Sequence, residues 1–205
     1  MYMNSKKCKV HIIYCHPSKK SITYKIKEAY IKGLSQNNIE YTITDLYESN
    51  FNTDISEEEY LRENNNIECP LSDDILIEQK KINNSNILTF IFPLFWMDAP
   101  SKLVGYFSRV FTKGFKYDYD DGINTTMKTM DETNFLISAG SSYETLKEDG
   151  KIKALETIFI NDRMAGKTER TNMYFFTETA YVKEKELNNE EKHMKRAEKI
   201  AKETS

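Results

Sequence analysis

Five short runs rich in apolar and β-branched residues punctuate the chain: KVHIIYC (9–15), EYTITDL (40–46), NILTFIF (86–92), TNFLISA (133–139) and TNMYFFT (171–177). Each has the length and composition of a strand. Between them the apolar period lengthens. Ile22, Ile26, Ala29, Gly33 and Leu34 share one helical face, and Leu103, Tyr106, Phe107, Val110 and Phe111 share another. SDDILIEQKKINNS predicts a third helix, with Ser72 as N-cap and Asp73 and Asp74 favoured by the positive end of the dipole. Residues 143–162 and the tail 182–205 carry weaker helical patterns; in the tail Met194, Ala197 and Ala201 form the stripe to be buried and the rest a charged, solvated face. The polar stretch 50–72 reads as a loop or insertion. Strands alternating with helices imply right-handed crossovers and a parallel sheet covered on both faces.

At 205 residues the chain has the length of one domain, 1–205, without repeats or low-complexity segments. A net charge of -3 gives no electrostatic footprint for nucleic acid. The apolar run near the start is too short for a signal-peptide core or a membrane span, so no membrane insertion is expected. Cys8, Cys15 and Cys69 are odd in number and show no CxxC spacing, which suits free thiols in a reducing cytoplasm.

Several chemistries lack their residues. With 7 glycines in all, no G-x-G-x-x-G follows the first strand and no G-x-x-x-x-G-K occurs. His11, His16 and His193 are scattered, with neither HExxH nor cysteine pairs, so no protein-bound metal is expected. No serine sits in a G-x-S-x-G elbow. Asp45, after the second strand, would mimic a ribose-binding acid only beside the missing glycine loop, and reads better as a turn cap.

Two loops stand out. HPSKKSITYKIKEA follows the first strand and puts Ser18, Ser21 and Thr23 where the first helix begins; a helix N-terminus binds anions, and hydroxyls supplement its amides without glycine. N-capping by Ser18 or Ser21 explains the same residues equally well. IFPLFWMDAP follows the third strand and holds the single tryptophan, Trp96, between two prolines. Phe95, Trp96 and Met97 read either as core or dimer-interface residues or as the wall of a ligand site. In a doubly wound sheet of strand order 2-1-3-4-5, both loops lie at the point where the order reverses, beyond the carboxyl ends of the strands. A phosphate site beside an aromatic, proline-stiffened wall suits a phosphorylated, flat, apolar cofactor such as a flavin.

At this point the residues resemble the NAD(P)H:quinone oxidoreductases of the DT-diaphorase type, a flavodoxin-like family. DLYESNFN (45–52) is similar to its segment after strand two, SDDILIEQKK to its third helix, FPLFWMDAPSKLVGYFSRVF to its isoalloxazine loop and following helix, and GFKYDY (114–119) to the aromatic strip beyond. The resemblance implies a flavodoxin-like α/β fold: an open parallel five-stranded sheet, order 2-1-3-4-5, with helices on both faces. It implies that His16, Ser21, Ile22 and Thr23 hold the flavin phosphates, Thr23 standing where the family has asparagine. Pro93, Leu94, Phe95, Trp96 and Met97 would line the isoalloxazine, Phe95 replacing the usual glutamine, with Trp96 and Tyr143 at the catalytic positions.

In SAGSSYETLKEDG (138–150), Ser138, Ala139, Gly140 and Ser141 stand where the family offers amides to the pyrimidine edge, only Gly140 of its glycine pair being kept. Asp149 falls on the family's histidine. Tyr117 and Tyr119 match tyrosines that border the substrate pocket of a homodimer. The implied function is ping-pong hydride transfer from NAD(P)H through FAD, or alternatively FMN, to a quinone-like acceptor. An azo-, nitro- or FMN-reductase is the alternative within the fold, and a regulatory flavoprotein docking on a partner the alternative outside enzymology. INDRMAGK (160–167) matches nothing in the family.

Overall fold

The computed structural model describes residues 8–64, 69–118, 125–179 and 186–204. Five parallel strands, β1 (Lys9–Tyr14), β2 (Glu40–Asp45), β3 (Ile87–Pro93), β4 (Glu132–Ser138) and β5 (Thr171–Phe176), form one sheet of order β2-β1-β3-β4-β5. The central strands β3 and β4 are buried at every position, as the largely apolar run of β3 requires, whereas β2 and β5 are partly exposed edges. In β1 the alternation divides Val10, Ile12 and Tyr14 from Ile13 and Cys15, one set in each of two cores.

The first core lies under α1 (Ile22–Gln36) and α7 (Glu186–Glu203), where Ile26, Tyr30 and Leu34 meet Ala197, Ile200 and Ala201. A Cβ on Gly33 would stand 2.6 Å from the Glu198 carbonyl oxygen and 2.7 Å from Ala201 Cβ, so only glycine lets these helices approach so closely. The tail stripe is buried as expected at Ala197 and Ala201, and Met194 packs at its rim. The second core lies under α3 (Asp73–Asn83) and α4 (Ser101–Val110), where Phe90, Phe92 and Phe135 stack with Phe107 and Phe159.

Two sequence expectations change. The stretch 50–72 is not all loop: it contains α2 (Glu57–Glu63), opened by a reciprocal capping box between Ser56 and Glu59. Its exposed face concealed it from a reading by hydrophobic period, although S-x-x-E was visible in the sequence. Ser72 does occupy the N-cap of α3, but its hydroxyl donates to Asp74 Oδ1 at 2.5 Å and caps no amide. Arg109, 4% exposed on α4, binds α2 and α3 together through Glu59 Oε1 at 2.5 Å and Asp74 Oδ2 at 2.6 Å. Residues 143–162 resolve into α5 (Tyr143–Glu148), α6 (Lys151–Glu156) and a π-helical turn that runs through Arg163 (Thr157–Arg163).

Candidate functional site

Beyond the carboxyl ends of β1, β3 and β4 three loops converge. After β1, Ser18's amide donates to His16 Nδ1 at 2.9 Å, and burial lowers the pKa of the ring against the opposing effect of the Ser18 backbone. Burial thus favours the neutral imidazole, whose Nδ1 lies 3.1 Å from the Ser18 carbonyl as well as facing the Ser18 amide, so the loop backbone fixes the ring. Ser21 is the N-cap of α1: its hydroxyl donates to the Ser18 carbonyl at 2.8 Å and accepts from the Tyr24 amide at 3.1 Å. The capping geometry thus uses the Ser21 side chain. The first turn-closing bond of α1 is Lys25 N to Ser21 O at 3.2 Å, which leaves the amides of Ile22 and Thr23 ahead of the helical ladder. The Tyr14 hydroxyl is buried close to Ser21; burial raises its pKa against the opposing effect of the Ser21 hydroxyl. Thr23 turns its side chain inward, 1% exposed, onto Ser138.

After β3 the Leu94 amide donates to the Ser138 carbonyl at 2.8 Å, tying this loop to β4. The chain then reverses in a two-residue turn closed by Phe95 N to Asp98 O at 2.9 Å and Asp98 N to Phe95 O at 3.1 Å. Its central residues, Trp96 at φ 52 and Met97 at φ 64, both occupy the left-handed region, the conformation of a type I′ turn. Glycine or asparagine would sit there without strain, whereas a tryptophan and a methionine each cost on the order of 1 kcal/mol. The strain presents Trp96 fully exposed, at 101%, with Phe95 at 44% beside it. Phe95 also meets His16, ring centroids 6.3 Å apart, so the β1 and β3 loops touch as the switch-point argument required. Neither Phe95 nor Trp96 is a core residue in this chain.

The β4 loop completes the arrangement. Ala139 is paired on both sides, its amide to Phe176 O at 2.9 Å and its carbonyl from Thr179 N at 3.1 Å, while Ser141 O accepts from Glu178 N at 3.1 Å. Gly140 and Ser141 are exposed, and Ser142 caps α5 through the Thr145 amide at 3.1 Å. Tyr143 opens that helix, 44% exposed, with its ring edge-on to Phe175 at 6.1 Å. Asp149 pairs with Lys151 at 2.6 Å.

Tyr117 lies apart from these loops, on a cavity beside α4, and donates to Glu63 Oε2 at 2.7 Å. Tyr119 lies outside the described residues. Two participants escaped the sequence reading. Asp98 closes the Trp96 turn, and Arg163, within the unassigned INDRMAGK, reaches Asp98 Oδ1 at 3.4 Å. Neither has a local signature, because the π-helical turn that aims Arg163 is set by tertiary packing.

Residues 8–201 match the protein family described as having the flavodoxin-like fold. Among solved structures, the NAD(P)H:quinone oxidoreductase from Methanothermobacter marburgensis is similar at a TM-score of 0.87 and 32% identity, over 96% of each chain. An uncharacterized NAD(P)H oxidoreductase of Haemophilus influenzae is 33% identical over 151 residues, 73% of either chain. NAD(P)H dehydrogenase [quinone] 1 of Cavia porcellus is 38% identical over 122 residues, a match that spans 53% of this chain and 44% of that protein. Sheet order, loop convergence and these similarities agree, and the chain belongs to the flavodoxin-like fold family, within which it resembles NAD(P)H:quinone oxidoreductases.

Proposed function

We propose that the protein is a flavin-dependent NAD(P)H:quinone oxidoreductase. The observation that carries this reading is the strained turn that holds Trp96 out of the core, beside a helix N-terminus and a loop of accessible amides. A fold does not keep two bulky residues in left-handed conformations at an exposed tip without a return in function. The residues suit a flavin: an anion would be held by the Ile22 and Thr23 amides ahead of the α1 ladder, with His16 on the same loop.

A bound flavin supplies the two-electron relay between NAD(P)H and the acceptor, so one pocket serves both substrates in turn. Residues 93–97 provide a flat, proline-stiffened wall that keeps water from the reacting face. Tyr143 and the exposed Gly140–Ser141 backbone stand ready to donate to negative charge developing at the cofactor edge. For FAD rather than FMN, the support is a small cleft of about 110 Å³ past Ile22, along which a second nucleotide half would extend, lined by Lys20, Thr179, His193 and the Lys25–Glu190 pair.

The chain acts as a single domain and as a homodimer. Support for the dimer comes from exposed Tyr60 and Leu61 on α2 and Leu76 and Ile77 on α3, which with Trp96 leave apolar surface for a second copy to cover. Among the described residues no helix is long and apolar enough to cross a membrane, and Cys8, Cys15 and Cys69 are free, which supports a cytoplasmic setting.

Visible absorbance of the purified protein, chromatography of any released flavin, and NADH or NADPH oxidation with and without menadione test the reading. A yellow protein with one FAD per chain and menadione-dependent turnover is the expected result; a colourless protein that takes up neither FAD nor FMN would overturn it.

A further inference from the structure

Apart from the three converging loops, α4 and the π-helical turn flank a cavity of about 390 Å³ whose walls include Phe107, Phe111, Tyr117, Lys116, Asp162 and Arg163. Its lining joins aromatic rings to cations. The Arg163 guanidinium is stacked 4.8 Å from the Phe107 centroid and 4.5 Å from that of Phe159, with the side chain 14% exposed. One of its five N–H groups reaches Asp98 Oδ1, at 3.4 Å, a long contact to a carboxylate that is itself 42% exposed. Lys116 Nζ donates at 3.1 Å to the backbone carbonyl of Asp162, which carries no charge. Both cations have donors to spare among the described contacts.

We infer that this cavity recognises an anionic group, sulfonate, carboxylate or phosphate, on an aromatic redox substrate, with Arg163 and Lys116 as the specificity-determining residues. The inference rests on the function proposed above and names the substrate class of that site. One contact links the cavity to the Trp96 turn: Arg163 reaches the Asp98 carboxylate at 3.4 Å, and the Asp98 backbone closes that turn. A planar guanidinium offers paired donors to an oxyanion, while Phe107, Phe111 and Tyr117 take up the apolar ring that bears it.

The electrostatics agree. Burial lowers the pKa of Arg163 more than Asp98 and Asp162 raise it, and burial likewise lowers Lys116, against Asp162. The two cations of the cavity are thus desolvated beyond what the carboxylates Asp98 and Asp162 offset, and an incoming anion relieves them.

The anion belongs either to the acceptor or to the nicotinamide nucleotide, and ping-pong kinetics separate the two. One arm compares kcat/KM for menadione, which is neutral, with that for a naphthoquinone sulfonate. The other compares NADPH and NADH with ribosyl-dihydronicotinamide, which lacks phosphate. Arg163→Gln and Lys116→Gln should each lower the anionic-to-neutral ratio about tenfold in one arm, and Arg163→Lys should recover part of it. The arm that responds identifies the source. Unchanged ratios in both arms would overturn the inference.

Binding of naphthalene sulfonate and of naphthol to the purified protein, followed by Trp96 fluorescence, provides a readout without turnover. Preference for the sulfonate that is lost in Arg163→Gln supports the cavity even where no acceptor is reduced, a result that would fell only the proposed activity. Equal affinity for the two probes overturns the cavity assignment itself.

Discussion

Thr23 Oγ1 and Ser138 Oγ lie 2.7 Å apart, a buried hydrogen bond that joins the first turn of α1 to the end of β4, two elements separated by 115 positions in sequence. Ser138 also accepts the Leu94 amide through its carbonyl, so one residue fastens all three loops of the site. Thr23→Val keeps the shape but leaves the Ser138 hydroxyl buried and unpaired, which should cost about 1–2 kcal/mol. Thr23→Ser should retain most of the stability. Urea midpoints of the two variants check this, and a Thr23→Val midpoint equal to that of the parent protein would show the bond to be dispensable.

The same logic of buried pairing governs Glu78. It lies 3% exposed beneath β1 and β2, accepting from Thr44 at 2.8 Å, Lys81 at 2.5 Å and Tyr106 at 3.1 Å, with His11 Nε2 at 3.6 Å. Burial alone would raise its pKa; the contacts of His11 and Lys81, the charge of Lys81 and the Thr44 hydroxyl outweigh burial and hold it at about 2. A carboxyl depressed in the folded state stabilises it above the unfolded pKa and stops doing so as the proton goes on. This contribution, on the order of 2–3 kcal/mol, should therefore be complete above about pH 5 and fade between there and about pH 2. Glu78→Gln should flatten that part of the stability profile, measured as thermal midpoints against pH; a profile unchanged in shape would assign acid sensitivity to other groups.

The fold was legible because its signals are local. Predominantly apolar runs such as residues 86–92 specify buried parallel strands, and the face shared by Leu103, Tyr106, Phe107 and Val110 is what covers them. The two loops of the site could be found from composition and placed by topology. Three features could not. The left-handed turn at Trp96 and Met97 violates the rule that would locate such a turn, since neither residue prefers positive φ. Arg163 acts from a π-helical turn whose register depends on Phe107 and Phe159 packing against it. The inward rotamer of Thr23 depends on Ser138, which no local pattern connects to it.

That turn makes a prediction of its own. Asparagine and glycine are the residues a type I′ turn favours, so Trp96→Asn combined with Met97→Gly should relieve strain and raise stability by about 1–2 kcal/mol. Because the native residues are retained at that cost for what they present, the same variant should lose most menadione reduction. Thermal midpoints and turnover are measured together. A variant no more stable than the parent would show that the tip carries no strain to release.

The last prediction isolates Tyr143. Its ring rests edge-on against Phe175 and the residue is 44% exposed, so Tyr143→Phe removes a hydroxyl donor without opening a cavity. Stability should change by less than about 0.5 kcal/mol, the range of surface substitutions away from special features. Rate should respond differently. A donor aimed at developing negative charge contributes up to about a hundredfold, and less where water or the nearby Gly140–Ser141 backbone substitutes for it. Asp149 cannot take over, because it is anionic and paired with Lys151 at 2.6 Å; Asp149→Asn should therefore leave the rate nearly untouched. Stopped-flow measurement of flavin reduction by NAD(P)H, separated from acceptor chemistry, reads this step alone. A tenfold or greater slowing in Tyr143→Phe with flavin affinity preserved is the expected pattern. Reduction at the parental rate would make Tyr143 a packing residue of α5 and leave charge stabilisation to the main chain.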